Sequence, residues 1–91
     1  MSSTPPEAPG LSLRVLVSTD CRSCTAAAEV VSIVLARRPD VRVQMIDVDV
    51  HGVPDDVAFV GTPMYVWGSR VVSLGNPEVE HLLAALSGDR P

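Results

Sequence analysis

Cys21 and Cys24 stand three positions apart in the stretch STDCRSCTAAAEVV, and the chain has no other cysteine. Two thiols at that spacing in the first turn of a helix lie close enough for their sulfurs to bond, so the pair can pass between dithiol and disulfide. The first sulfur would sit beside the unpaired backbone N–H groups of the helix start. Those groups and the helix dipole stabilise a thiolate and bring its pKa below the roughly 8.5 of a free thiol. Arg22 adds positive charge there and Asp20 opposes it. In exchange chemistry Cys21 would attack a partner's disulfide as a thiolate, and Cys24 would then attack Cys21 and release the reduced partner. Other uses of the same two residues stay open: an inert buried pair, or a metal site. A metal site usually needs about four ligands, and His51 and His81 are the spare candidates within one chain. A metal shared by the pairs of two chains is a further option.

The pair needs a strand before it and a helix after it, and the flanking pattern supplies both. Leu11 to Ser18 places Leu11, Leu13, Val15 and Val17 on one face, with Arg14 and Leu16 on the other. A second face that is partly apolar indicates a strand covered on both sides, as in a layered α/β domain. After the polar turn Thr19–Ser23 the period changes, and Ala27, Val30, Val31, Val34 and Leu35 recur at helical spacing as far as Arg38, where Pro39 stops the helix. Val41 to Val48 reads as a second strand, which with the first strand and the helix makes a right-handed βαβ unit with parallel strands. In the segment from Asp49 to Thr62, Pro54 is expected to start a short helix with Asp55 and Asp56 in its first turn. Val57, Ala58 and Phe59 would then pack inward. Met64–Trp67 and Arg70–Ser73 read as short strands joined by a tight Gly68-Ser69 turn. Asn76 is expected to cap a last helix with Pro77 at its first position, Leu82, Leu83 and Leu86 as its buried stripe, and Gly88 at its end.

The order is therefore β-α-β-(short α)-β-β-α, one domain over residues 11–88 with a flexible tail at 1–10 and a short tail at 89–91. At 91 residues with 46% hydrophobic content a single core is expected, built mainly from Val, Leu, Ile and Ala because Trp, Tyr and Phe occur once each. Eleven acids oppose seven bases, every one of them arginine and nowhere clustered beyond Arg37-Arg38, so nucleic-acid binding is not expected. Residues 1–10, MSSTPPEAPG, lack the basic end and apolar run of a secretory leader. No stretch approaches the roughly twenty apolar residues of a membrane span. A cytoplasmic location without membrane association is expected, and a reducing compartment disfavours a permanently structural disulfide.

At this point the chain resembles the thioredoxin/glutaredoxin-like superfamily over residues 13–87. The resemblance rests on the strand-C-x-x-C-helix unit, the strand ending in Ile46-Asp47, and Phe59-Val60-Gly61-Thr62-Pro63 before the strand Met64–Trp67. It implies a three-layer fold with a mixed four-stranded sheet, and a cis-proline at Pro63 packed against the cysteine pair. It also implies that the backbone of Thr62 pairs with an extended substrate segment, and that Gly75 matches a family glycine near the last helix. On the residues alone, Pro63 reads as an ordinary trans proline opening a strand.

The chain also departs from both named classes. Thioredoxins proper have Trp before the first cysteine and Gly-Pro within the pair, where this chain has Asp20 and Arg22-Ser23; their buried acid in the first strand is matched here by Val15. Glutaredoxins usually have Pro-Tyr within the pair and Gly-Gly followed by an acid near the last helix, partly matched by Gly75-Asn76-Pro77-Glu78. With no lysine present, Arg22 or Arg70 is the candidate to hold a glutathione carboxylate. Tyr65 and Trp67 read as core or hairpin packing before they read as groove residues. The resemblance implies a thiol–disulfide oxidoreductase with Cys21 and Cys24 catalytic, Thr62, Pro63, Arg22 and Gly75 at the substrate, and no resident cofactor or metal. Its partners would be a protein disulfide or a glutathione mixed disulfide, with a reductase or glutathione as electron donor. Glutathione-dependent turnover, and a binding or adaptor module with little turnover, are the competing expectations.

Overall fold

The computed structural model describes residues 12–87, so the expected tails and Gly88 lie outside it. The strands are β1 (Ser12–Val17), β2 (Arg42–Asp47), β3 (Met64–Trp67) and β4 (Arg70–Leu74), and the helices are α1 (Arg22–Arg37), α2 (Val48–His51) and α3 (Val79–Ser87). The strands form one mixed sheet in the order β2-β1-β3-β4. β1 runs parallel to β2, with Ser12 opposite Arg42 and Val17 opposite Asp47. It runs antiparallel to β3, with Leu13 opposite Trp67 and Leu16 opposite Met64. The mixed α/β architecture expected above is the one observed.

Alternation along the central strands sends side chains to two cores. On one face Leu13, Val15, Tyr65 and Trp67 pack with Ala27, Val31 and Val34 of α1 and with Leu82, Leu83 and Leu86 of α3. On the other face Leu16, Ile46, Met64 and Val66 form a smaller cluster, with Val48 and Val57 against it. Helices α1 and α3 thus cover one side of the sheet, and the connection through α2 covers the other. Arg37 of α1 reaches Glu80 of α3 at 3.2 Å. Leu35, expected on the buried face of α1, is instead exposed, because the inward stripe narrows to Ala27, Val31 and Val34.

The short helix does not begin at Pro54. It follows β2 directly: the Asp47 carboxylate accepts the Asp49 N–H at 2.9 Å and caps α2, and the Gly52 N–H closes it on the Val48 carbonyl. Residues 54–57 make only a turn, closed by the Val57 N–H on the Pro54 carbonyl. A tertiary contact decides this. Arg14, projecting from β1 towards the second face, donates two hydrogen bonds to the Asp56 carboxylate, at 3.0 and 2.8 Å, and a third to the Gly68 carbonyl. Asp56 is therefore held by a strand rather than placed at a helix start, and the Arg14 hydrogen bond keeps its carboxyl below the ordinary carboxylate range. Val57 packs inward as expected, whereas Ala58 and Phe59 are exposed.

The Gly68-Ser69 hairpin turn forms as expected, with Gly68 at a φ of +66°, a region open to glycine without steric cost. The β3–β4 register shifts between Tyr65 and Val66, so that Ser73 and Val71 are partners on the two sides of the shift and Val72 is the extra residue, as in a β-bulge. The last helix starts at Val79, later than its sequence signal. The Leu82 N–H bonds the Glu78 carbonyl, so Pro77 precedes the helix and Asn76 does not cap it.

Tyr65 is the chain's single tyrosine and has no exposed surface. Burial pushes its phenol from the ordinary 10.0 to about 12. The folded state therefore keeps a proton that the unfolded chain releases from about pH 10. This contribution to stability is complete below pH 10 and is lost as pH rises from 10 towards 12. Tyrosinate absorbance is expected to rise only towards pH 12, or together with unfolding. A midpoint near 10 in the folded chain would contradict the burial.

Candidate active site at the start of the first helix

The polar turn after β1 ends at Cys21, whose extended backbone (φ −99°, ψ 108°) places it at the N-cap of α1. Cys24, in the first helical turn, donates its N–H to the Cys21 carbonyl at 3.1 Å. The sulfurs of Cys21 and Cys24 are joined as a disulfide, with the Cα atoms 5.2 Å apart. The two differ in access: Cys24 keeps 9% of its surface exposed, and Cys21 is only partly buried. A nucleophile has to be reached by its substrate, and a resolving thiol does not. The first turn of α1 contains no acidic residue. A thiolate at Cys21 would face the positive end of the helix dipole with Arg22 exposed beside it.

Hydrogen bonds from neighbouring elements hold this turn. The Thr19 N–H donates to the Asp49 carboxylate at 2.9 Å, and the Thr19 hydroxyl lies 3.5 Å from Asp47, so the end of β2 and the start of α2 fix the approach to Cys21. Ser18 and Thr62 share a hydrogen bond between their hydroxyls at 3.0 Å. This brings the residue before Pro63 to the end of β1. The Thr62–Pro63 peptide bond is cis, as the resemblance implied and the unaided residue reading did not. Pro63 is buried, and its carbonyl accepts the Gly75 N–H at 2.8 Å. Gly75 has a φ of +87°, a left-handed conformation that side-chain-bearing residues rarely adopt.

Thr62, Pro63 and Gly75 are thus linked in one loop cluster at the end of the sheet that carries the cysteines. Arg70 is not part of it. Arg70 opens β4 opposite Trp67, and the turn between them bonds Ser12 at the start of β1, which puts Arg70 at the far end of the sheet. Of the two arginines considered for a glutathione carboxylate, Arg22 alone stands at the pair. Tyr65 and Trp67 are core residues. Val15, in the position of the family's buried acid, is fully buried, and among the described residues no polar or charged residue is buried. Among the described residues, then, no buried carboxylate is available to take a proton from Cys24.

Two residues of the cluster escaped the sequence reading. Ser18 carried no signal beyond its place at a strand end. Asn76 carried a misleading one, because Asn-Pro-Glu is a helix-start pattern. Its side chain instead donates to the Ser23 carbonyl at 2.7 Å and accepts from the Tyr65 hydroxyl at 2.8 Å.

No family model matches the sequence, and no curated protein matches it. Among solved structures, thioredoxin O2 from Arabidopsis thaliana in its oxidized state aligns with 84% of this chain and 71% of its own, with a TM-score of 0.53 and 15% identity. The chain has a thioredoxin-like fold. Within that fold the disulfide lies where a strand hands over to a helix, and the cis-Pro63 loop and the segment before α3 are tied to the same turn.

Proposed function

We propose that this chain is a thiol–disulfide oxidoreductase acting on protein disulfides, with Cys21 as nucleophile and Cys24 as resolving thiol. The observation that carries the reading is the Cys21–Cys24 disulfide at the start of α1, with the N-cap sulfur on the more accessible residue. In the reductive direction the Cys21 thiolate attacks one sulfur of the partner disulfide, and the other leaves as a thiolate that takes up a proton. Cys24, losing its proton, then attacks Cys21; the second partner thiol departs and the intramolecular disulfide remains. The partner gains two electrons and two protons, one proton from Cys24 and one from solvent, which took it up when Cys21 ionised. A disulfide reductase or glutathione would return them, in a cytoplasmic setting. With no buried acid among the described residues, the proton of Cys24 passes to solvent or to the departing thiolate.

Phe59 and Val60, which lead into Gly61 and Thr62, are 40% and 71% exposed. They offer apolar contact to an extended segment pairing with the Thr62 backbone, which supports a polypeptide substrate. Arg22 is the feature that supports the alternative, a glutathione mixed disulfide, and the acids Asp20, Asp47 and Asp49 around the same turn weigh against that anionic tripeptide.

The test is turnover by the reduced chain of insulin disulfides and, separately, of a small glutathione mixed disulfide. The expected result is insulin reduction that continues with a non-glutathione reductant. Turnover of the glutathione substrate alone would give the glutaredoxin-like reading. Turnover of neither would overturn both and leave a binding module.

A further inference from the structure

The Asn76 side chain joins α1 to the core through two hydrogen bonds, and their chemistry fixes its orientation. The Ser23 carbonyl oxygen only accepts, so Asn76 must present its NH₂ group there, 2.7 Å away. That leaves Oδ1 for the hydroxyl of Tyr65, 2.8 Å away on a fully buried ring of β3. The amide is thus anchored in the sheet and aimed at the peptide between Ser23 and Cys24.

That peptide carries the Cys24 N–H, three residues beyond the N-cap Cys21. An N-cap side chain accepts its hydrogen bond from the second or third residue of the helix. Cys21 makes no such bond while its sulfur is held in the disulfide. With the disulfide closed, the Cys24 N–H donates to the Cys21 carbonyl at 3.1 Å; once the disulfide is reduced, the same N–H can be shared with the Cys21 sulfur, a three-centre arrangement common at helix ends. A hydrogen bond to the Ser23 oxygen shifts peptide resonance towards the polarised form and makes the N–H on the other side a stronger donor. A stronger donor favours the thiolate over the thiol.

We infer that Asn76 is a positioning residue for the exchange reaction, raising the thiolate content of Cys21 through the Ser23–Cys24 peptide, with Tyr65 holding the amide in place. This rests on the reading of Cys21 as the attacking thiol. The titratable groups of the turn that carries Cys21 are Cys24, Asp20 and Arg22 on its own segment, with Asp47 and Asp49 bonded to Thr19 from the β2–α2 end; His51 ends α2 and Glu78 follows Asn76 by two residues. An Asn76→Ala substitution changes none of these, so a shift in the profile reports the hydrogen bond to Ser23.

The experiment is the rate of Cys21 alkylation against pH in the reduced full chain, with the modified residue located by mass spectrometry. Asn76→Ala is expected to lower the thiolate fraction at neutral pH by roughly two- to tenfold, the range of one hydrogen bond. Tyr65→Phe keeps the donor but frees the amide, and a smaller shift in the same direction is expected. A wild-type midpoint below that of a free thiol together with unmoved variant profiles would overturn the inference alone, even if both variants melt earlier. A wild-type midpoint at the free-thiol value would overturn the reading of Cys21 and this inference with it. Should Asn76→Ala fail to fold, Tyr65→Phe carries the same comparison.

Discussion

Replacing Cys21 with serine is expected to abolish exchange, whereas replacing Cys24 with serine is expected to stop the reaction one step later, with the partner covalently attached. The asymmetry follows from position. Cys21 is the accessible N-cap residue, and without its sulfur no mixed disulfide forms. Cys24 is nearly sealed and, in the proposed reaction, acts only on the mixed disulfide, so its loss would remove release rather than attack. The measurement is turnover of a disulfide substrate, followed by non-reducing electrophoresis of each variant with that substrate. A covalent complex with the Cys21→Ser chain, or none with the Cys24→Ser chain, would reverse or remove the assignment. A serine hydroxyl at neutral pH cannot replace the thiolate, so the expected loss is complete rather than partial.

Tyr65→Ala is expected to produce the largest loss of stability, about 3–5 kcal/mol by comparison with other buried aromatic-to-alanine changes. Domains of this kind have only about 5–15 kcal/mol in all. The ring is fully buried between α1 and α3 on β3, and aromatic residues are scarce in this core. Tyr65→Phe keeps the ring and removes only the hydroxyl. Its partner Asn76 can turn to water, so the expected cost is about 0.5–1.5 kcal/mol. Urea denaturation of the three chains measures both. Equal losses from the two substitutions would mean that the hydrogen bond, not the packing, holds the ring.

What the sequence made legible was whatever local pattern and burial agree upon. The switch from strand period to helix period around Ser18–Ala27, the parallel return through Val41–Val48 and the Gly68-Ser69 hairpin are all set by alternation and by turn residues that long-range contacts leave unchanged. The cysteine pair was legible for the same reason: the disulfide it forms depends on a three-residue spacing at a helix start. Where a distant partner competes for a side chain, local signals misled. Pro54-Asp55-Asp56 has the makings of a helix start, but Arg14 takes Asp56, and the Asp47 cap begins the short helix earlier. Asn76 has the residue type of a cap, but Tyr65 and Ser23 claim both ends of its amide. Sequence patterns cannot show such partners, which lie 42, 11 and 53 positions away. The cis state of the Thr62–Pro63 bond came from resemblance alone, since the residues by themselves favour trans.

The most direct test is to equilibrate the full chain with glutathione redox buffers of graded potential, quench with acid, and measure the fraction carrying the Cys21–Cys24 disulfide. The predicted result is a single reversible two-electron transition, approached equally from the oxidised and reduced sides. A disulfide that no buffer opens, or thiols that no buffer closes, would contradict the account.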